Sequence, residues 1–262
     1  MHYVMEVKEK QFGQINLKEE NLTIVVKAGI HATLLLIYDQ HTEDRELNIV
    51  LEPGSSYTVL MKNNLNEPCN LKQVIDVYKD ATLKLGYWEL DEGNSQIKTT
   101  INLKEPGANA YVSNVAIASS DKNYFMQIEH FAPYTKAKME NYAIVKDGSK
   151  YTMEAIGKIN KGCYASESHQ SSRVLTLTKN HQSKVLPVLL IDENDVKASH
   201  AMTLGQPDEN QLYYLQTRGI SRDAALSLLT LGYIMPITSI LEDEELNEAM
   251  KHEIEKKVGL HA

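Results

Sequence analysis

From about residue 21 to residue 204 the chain alternates short aliphatic or β-branched runs with turn-forming segments. Turns of the Pro-Gly or Asp-Gly type separate the runs, as in Glu52-Pro53-Gly54 and Lys146-Asp147-Gly148. Short strands at a spacing of roughly 8–12 residues are typical of an all-β sandwich, barrel or solenoid, and the periodicity leaves these three open. The runs are Leu22–Val26, Thr33–Tyr38, Leu47–Leu51, Tyr57–Met61, Ala110–Ala118, Tyr151–Ile156 and Arg173–Thr178.

After Gly205 the pattern becomes helical. Asp208 and Ser221 are placed as the N-caps of two helices, and Gly219 is placed to end the first of them. A third helix is predicted from Leu241 to Val258, because acidic residues fill its first turn and lysines its last. Its apolar stripe is Leu246, Met250 and Ile254.

We therefore predict a β core over residues 1–205 and a C-terminal helical region over residues 206–262. The helical region has too little apolar surface to fold alone, so it must pack on the β core or on a partner. Two interpretations stay open and are compatible: the helices cap the open end of the sheet, or they form a docking surface.

Composition narrows the function classes. The chain has 262 residues, of which 42% are hydrophobic and 24% charged, as in ordinary globular proteins. Its net charge of −8 argues against nucleic acid and against a basic membrane-surface protein. The first residues do not resemble a signal peptide, and runs such as Val185–Ile191 are far shorter than the ~20 residues of a membrane span. We expect a cytoplasmic protein.

Common catalytic and nucleotide motifs are missing. Cys69 and Cys163 are far apart, which excludes a disulfide framework and a CxxC motif. The stretch Gly157–Gly162 has the glycine spacing of a phosphate loop, but Cys163-Tyr164 follows where Lys-Ser/Thr is required. We expect this chain to bind no nucleotide, so that any ATP is hydrolysed by a partner.

Residues of metal-binding type are loosely grouped in the last third of the β core. Thiolate and imidazole are suitable donors for iron or zinc, but the spacing matches no compact site. Most of them are therefore interpreted as ordinary strand and turn residues. The group is Cys163, Glu167, His169, His181 and His200.

An acidic segment suggests one enzymatic alternative. Asp192, Glu193 and Asp195 could supply paired carboxylates for sugar cleavage, with Arg173 or Lys197 nearby. A solvated turn is the preferred interpretation, because the chain has one Trp and three Phe for stacking on sugars and no secretion signal.

Residues 194–221 carry a highly particular pattern. It reads Val-Lys-x-Ser-His-x-x-Thr-x-Gly, followed by Asp-Glu-x-Gln-Leu-x-Tyr-Leu-x-x-Arg-Gly-Ile-Ser. The pattern closely resembles the SufB/SufD family, the scaffold subunits of the Suf iron–sulfur cluster assembly machinery, and looks like its D-type members. The clear resemblance covers about residues 150–235.

The resemblance implies a right-handed parallel β-helix, or β-solenoid, with a small helical region. It also implies a non-enzymatic scaffold that pairs with a SufB-type sister subunit, or with a second copy of itself, through the C-terminal end of the β-helix. A SufC-type ATPase would dock on the helices, and a transient iron–sulfur cluster or iron would sit at the subunit interface.

The resemblance also selects site residues. Some D-type relatives have cysteine two positions before His200, where this chain has Ala198, and aligning on Pro187 puts the cluster-building cysteine of B-type relatives near His181. This chain is thus expected to be the helper subunit, with His200 as the ligand and with Cys163 and His181 as weaker candidates. Imidazole can bind Fe(II) near neutral pH and release it again. A structural adaptor that does not touch iron is the remaining alternative.

Overall fold

The computed structural model describes residues 2–9, 11–39, 44–235 and 244–258. These residues form a long series of β-strands followed by helices. The strands are β1 (His2–Val7), β2 (Gln11–Leu17), β3 (Asn21–Val26), β4 (His31–Tyr38), β5 (Asp44–Leu51), β6 (Ser56–Asn63), β7 (Cys69–Val77), β8 (Thr82–Glu89), β9 (Ser95–Leu103), β10 (Asn109–Ala118), β11 (Lys122–His130), β12 (Lys136–Val145), β13 (Lys150–Ile159), β14 (Ser166–Thr176), β15 (Gln182–Ile191) and β16 (Val196–Gly205). The helices are α1 (Glu209–Thr217), α2 (Arg222–Ile234) and α3 (Glu244–Val258).

The strands form two parallel sheets, one of odd-numbered strands (the odd sheet) and one of even-numbered strands (the even sheet). Each strand from β1 to β14 pairs in parallel with the strand two positions further along the chain. One strand from each sheet makes one turn of a solenoid. The parallel β-helix that the resemblance implied is therefore confirmed.

The solenoid is stable because alternate side chains fill the space between the two sheets. In β9, for example, Ile97, Thr99, Ile101 and Leu103 point inward and are buried, whereas the alternating residues Lys98, Thr100 and Asn102 face outward. The inward residues of successive strands stack into one continuous hydrophobic core. Turn glycines such as Gly54 and Gly148 have φ of 69° and 73°, a conformation that favours glycine, which agrees with the predicted turns.

The helices begin where the sequence predicts. Asp208 accepts a hydrogen bond from the backbone N–H of Asn210, and Ser221 accepts one from that of Ala224. The predicted first residues of the third helix, 241–243, lie outside the described residues.

The helices α2 and α3 cover the side of the solenoid, not its end. Ile234 of α2 and Ile254 of α3 are buried against outward-facing residues of the even sheet, including the fully buried Trp88. Lys62 of β6 also pairs with Glu253 of α3 at 2.6 Å. The expectation that the helices cap the open end was wrong for the described part of these helices, because the even sheet has an apolar outer face that needs cover.

The last turn of the solenoid, made by β15 and β16, is left open. Among the residues that the structure describes, each of these strands pairs with one neighbour only, and most of its side chains are exposed or half-buried. This turn carries exposed apolar side chains at Leu190, Ile191, Met202 and Leu204.

Candidate functional site

His200 lies on β16, at the open end of the solenoid. Its register partner on β14 is Gln170, which is buried and points inward. Because neighbouring residues in register point to the same side of a sheet, His200 also faces the interior. It is nonetheless exposed, since no further turn of the described chain covers it. The imidazole is therefore accessible to a partner that closes this end.

Cys163 lies in the turn between β13 and β14 and is buried. Its thiol donates a hydrogen bond to the backbone carbonyl of His130 at 3.2 Å. Burial raises the pKa of the Cys163 thiol, so the thiolate that would bind iron is disfavoured. The contacts of Cys163 fit a structural residue better than a metal ligand.

His181 lies in the turn between β14 and β15, at the opposite edge of the sheets from the turn that holds Cys163. Its Nδ1 is hydrogen-bonded to the hydroxyl of Ser183 at 2.8 Å. The structure therefore does not bring Cys163, His181 and His200 together. Over the described ranges, no three His, Cys, Asp or Glu side chains are grouped so that they could hold a metal ion.

Two further residues of the loose group lie on the outer face of β14. His169 is hydrogen-bonded to the Ser199 hydroxyl at 2.7 Å, and Glu167 pairs with Lys197 at 3.3 Å. Both point away from the interior that His200 faces, because Glu167 and His169 alternate with the buried Ser168 and Gln170.

The acidic segment between β15 and β16 makes structural contacts. The Glu193 carboxylate accepts backbone N–H bonds from Gly162 at 2.9 Å and from Asn194 at 2.8 Å. These bonds hold the pKa of Glu193 below its usual value. Glu193 thus joins two successive turns of the solenoid, which agrees with the interpretation of this segment as a turn.

The chain matches the family model described as "SUF system FeS cluster assembly, SufBD core domain" over residues 9–233. This match covers almost the whole solenoid together with α1 and most of α2. The chain belongs to the SufB/SufD family.

Named relatives agree with this assignment. The iron–sulfur cluster assembly protein SufD of Bacillus subtilis is 31% identical over 182 residues, which is 69% of this chain and 42% of that protein. The SufB protein of the same organism is 27% identical over 268 residues, which is 97% of this chain and 56% of that protein. A SufBD family protein of Mycobacterium tuberculosis is 27% identical over 271 residues, 97% of this chain and 31% of that protein. The chain thus spans about a third to just over half of these relatives.

This SufB/SufD family member also has buried charges that the sequence did not single out. Lys122 Nζ lies 2.8 Å from Asp91 Oδ1 and 3.9 Å from Glu89 Oε2, and all three side chains are almost completely buried. Burial raises the pKa of Glu89 to about 7, and the neighbouring Asp91 carboxylate acts in the same direction. Strand alternation does not predict such a group, because Lys122 comes from a segment 31 residues after Asp91.

The surface of α1 is unusually aromatic. Tyr213 and Tyr214 are 70% and 57% exposed, while Leu212 of the same helix is buried. Two hydrogen bonds from Arg222 to Glu209, at 2.7 and 2.9 Å, tie α1 to α2. None of the helices in the described ranges is long and apolar enough to cross a membrane.

Proposed function

We propose that this chain is a non-enzymatic helper scaffold of the SUF system, which works with a SufB-type sister subunit and a SufC-type ATPase. Membership of the SufB/SufD family supports the assembly role. The single observation that carries the proposal is the position of His200, an accessible imidazole that faces inward at the open end of a parallel solenoid.

The sister subunit is proposed to bind the open last turn. Strands β15 and β16 present unpaired backbone groups, which are a template for pairing with another chain. Exposed Leu190, Ile191, Met202 and Leu204 add apolar area at the same end. A second copy of this chain could occupy the same surface, and the assembly state in solution distinguishes the two occupants.

Iron, or the growing iron–sulfur cluster, is the substrate that His200 is proposed to contact at this interface. The imidazole supplies one neutral nitrogen ligand, and the remaining ligands would come from the partner, because the described residues group no metal-binding set around it. A site completed by two subunits can be taken apart when they move. Cys163 and His181 are less favoured as ligands, since their turns lie at different edges of the solenoid.

The ATPase is proposed to dock on the helical region, with α1 as the contact element. The exposed rings of Tyr213 and Tyr214 have the character of interface anchors. The Arg222–Glu209 pair links α1 to α2, and α2 packs on the even sheet at β12 and β14. Since β14 pairs with β16, movement of α1 has a short path to the strand that carries His200.

Replacement of His200 tests the proposal. In a complex with the sister subunit and the ATPase, His200→Ala should leave assembly intact but lower the iron and sulfide bound after anaerobic reconstitution. We expect a loss of at least about tenfold, on the scale by which disturbed metal sites weaken. The matched control is His31→Ala, an exposed histidine at the start of β4.

A full cluster yield from His200→Ala would contradict the iron-binding role and favour the alternative of a structural adaptor that binds the ATPase without touching iron. An equal loss in His31→Ala would show that the effect is not specific to the open end. The carbohydrate-active alternative receives no support from the acidic turn, because Glu193 holds two turns together.

A further inference from the structure

His200 is the last of a column of inward-facing register partners in the even sheet. The residues of this column are apolar in the earlier turns of the solenoid and polar in the last two. Five successive strands of the even sheet contribute apolar side chains at this position, and the next two contribute an amide and an imidazole. In register, the residues are Leu34, Val59, Leu85, Val112, Met139, Gln170 and His200. At this position, polar side chains thus appear only in the last two strands, at the open end.

The Gln170 amide has a defined orientation. Its Nε2 donates a hydrogen bond to the backbone carbonyl of Val188 on β15, at 2.9 Å. A carbonyl oxygen only accepts, so the other amide atom must be the acceptor Oε1. This Oε1 is buried and has no hydrogen-bond partner among the described residues. An unpaired buried acceptor costs free energy, which calls for an explanation.

The opposite wall of the solenoid leaves room for this amide. Gly157 of β13 faces it, and a Cβ there would lie 3.0 Å from Gln170 Nε2 and 2.5 Å from Ser168 Oγ. Any side chain at residue 157 would therefore displace both polar groups. Because Gly157 has no side chain, the Ser168 hydroxyl and the Gln170 amide have room below His200.

We propose that Gln170 is a positioning residue for His200, and this inference rests on the function proposed above. In this proposal, rotation of the exposed His200 ring brings its N–H to Gln170 Oε1, which accepts it and thereby selects one tautomer. The second ring nitrogen then keeps its lone pair and is held toward the open end, where a metal would bind. Metal-binding histidines commonly use an acceptor behind the ring in this way.

The geometry of the sheet allows this contact. Neighbouring strands lie about 4.8 Å apart, and Gln170 and His200 are register partners on the same inward face. The His200 ring is exposed and makes no hydrogen bond among the described residues, so its N–H is available. The competing donor is the Ser168 hydroxyl, which is also buried without a described partner.

Nitrogen NMR of the isolated chain tests the inference. In protein labelled with ¹⁵N-histidine, two-bond ¹⁵N–¹H correlations report the tautomer of each neutral imidazole, and His200→Ala assigns the signal. We expect an excess of about fivefold of one tautomer at His200, as a net hydrogen bond of ordinary strength gives. Exposed His31 is the internal reference for an imidazole without such a partner.

Three variants separate the acceptor from its surroundings. Gln170→Leu should bring His200 to the tautomer ratio of His31, because it removes the acceptor at similar volume. Gln170→Glu should restore the excess, since it keeps an acceptor oxygen. Ser168→Ala should leave the ratio unchanged and is the control for disturbance of the same turn.

The inference is overturned if His200 and His31 show equal ratios in the parent protein, or if Ser168→Ala shifts the ratio as much as Gln170→Leu. If Gln170→Leu does not fold, an unchanged excess in Gln170→Glu supports the inference and a lost excess overturns it. The tautomer ratio is independent of cluster yield. Normal yield from His200→Ala would therefore remove the proposed function while leaving the tautomer result as it stands.

Discussion

At the scale of single residues, the core contains a buried group of charges, formed by Lys122, Glu89 and Asp91. Two carboxylates share one ammonium inside the solenoid, and Ser95 donates a further hydrogen bond to Glu89 at 2.9 Å. One negative charge of the two is left without a full counter-charge. Burial therefore raises the pKa of Glu89 from its ordinary 4.5 to about 7.

This shift predicts a pH-dependent stability. Between about pH 4.5 and pH 7 the folded state binds more protons at Glu89 than the unfolded state, so the stabilising contribution is lost as the pH rises through that range. Glu89→Gln removes the ionisation but keeps an acceptor for Ser95. The free energy of unfolding of the variant, relative to the parent, should thus increase from about pH 5 to about pH 8 in urea titrations.

The control for this comparison is Glu129→Gln. Glu129 pairs with Lys158 at 2.8 Å, and its pKa is lowered rather than raised, so its replacement should not reproduce the gain at high pH. A constant difference between Glu89→Gln and the parent over the whole range would disprove the assignment.

At the scale of elements, the helices α1, α2 and α3 have different tasks. Burial of Ile234 and Ile254 against the even sheet makes α2 and α3 part of the body, whereas α1 keeps its tyrosines exposed. Ending the chain near Gly219 would uncover the apolar face around Trp88 and destabilise the solenoid. Substitutions on α1 are therefore a sharper test of ATPase docking than truncation.

The double variant Tyr213→Ser, Tyr214→Ser should weaken capture of a SufC-type ATPase by at least about tenfold, as loss of aromatic anchors at an interface does. Its melting temperature should stay close to that of the parent, because both rings are exposed. Tyr111→Ser, which removes an exposed ring from the outer face of β10, is the control. Equal capture by all three proteins in pull-down titrations would exclude α1 as the contact element.

At the scale of the whole molecule, the part of the solenoid that the structure describes has at each end a strand with a single neighbour. The first end carries β1, where Val4 is 62% exposed, and the last carries β16, where Met202 is 48% exposed. Parallel edges of this kind invite pairing with another chain. The sister subunit is proposed to bind the last end, where His200 lies.

Met202→Lys should therefore weaken binding of the SufB-type sister by at least about tenfold, because it places a charge in the proposed apolar contact. Val4→Lys also replaces an exposed apolar residue by a lysine, on the outer face of the strand at the opposite end, and should leave binding unchanged. Sedimentation or light scattering of the mixed subunits provides the measurement. Sister binding that is lost in Val4→Lys but kept in Met202→Lys would place the interface at the first end.

The pattern of residues along the chain was sufficient to predict several features of the structure, because these features depend on residues close together in sequence. Short apolar runs and Pro-Gly turns predicted strands, and Asp208 and Ser221 predicted helix starts that the structure confirms. The motif around His200 led to the family, and through it to the parallel β-helix. These signals are local or are carried by a contiguous stretch of sequence.

Tertiary structure alone decided which residues meet. Periodicity left sandwich, barrel and solenoid open, since strand alternation is the same in each of them. The register between strands that are far apart in sequence stacks Gln170 below His200 and brings Lys122 to Glu89 and Asp91. The alternation of the two sheets places Cys163 and His181 at different edges of the solenoid. The helices cover the side of the even sheet because its outer face is apolar. Several strands each contribute one or a few residues to this face, so no single segment of the sequence reveals it.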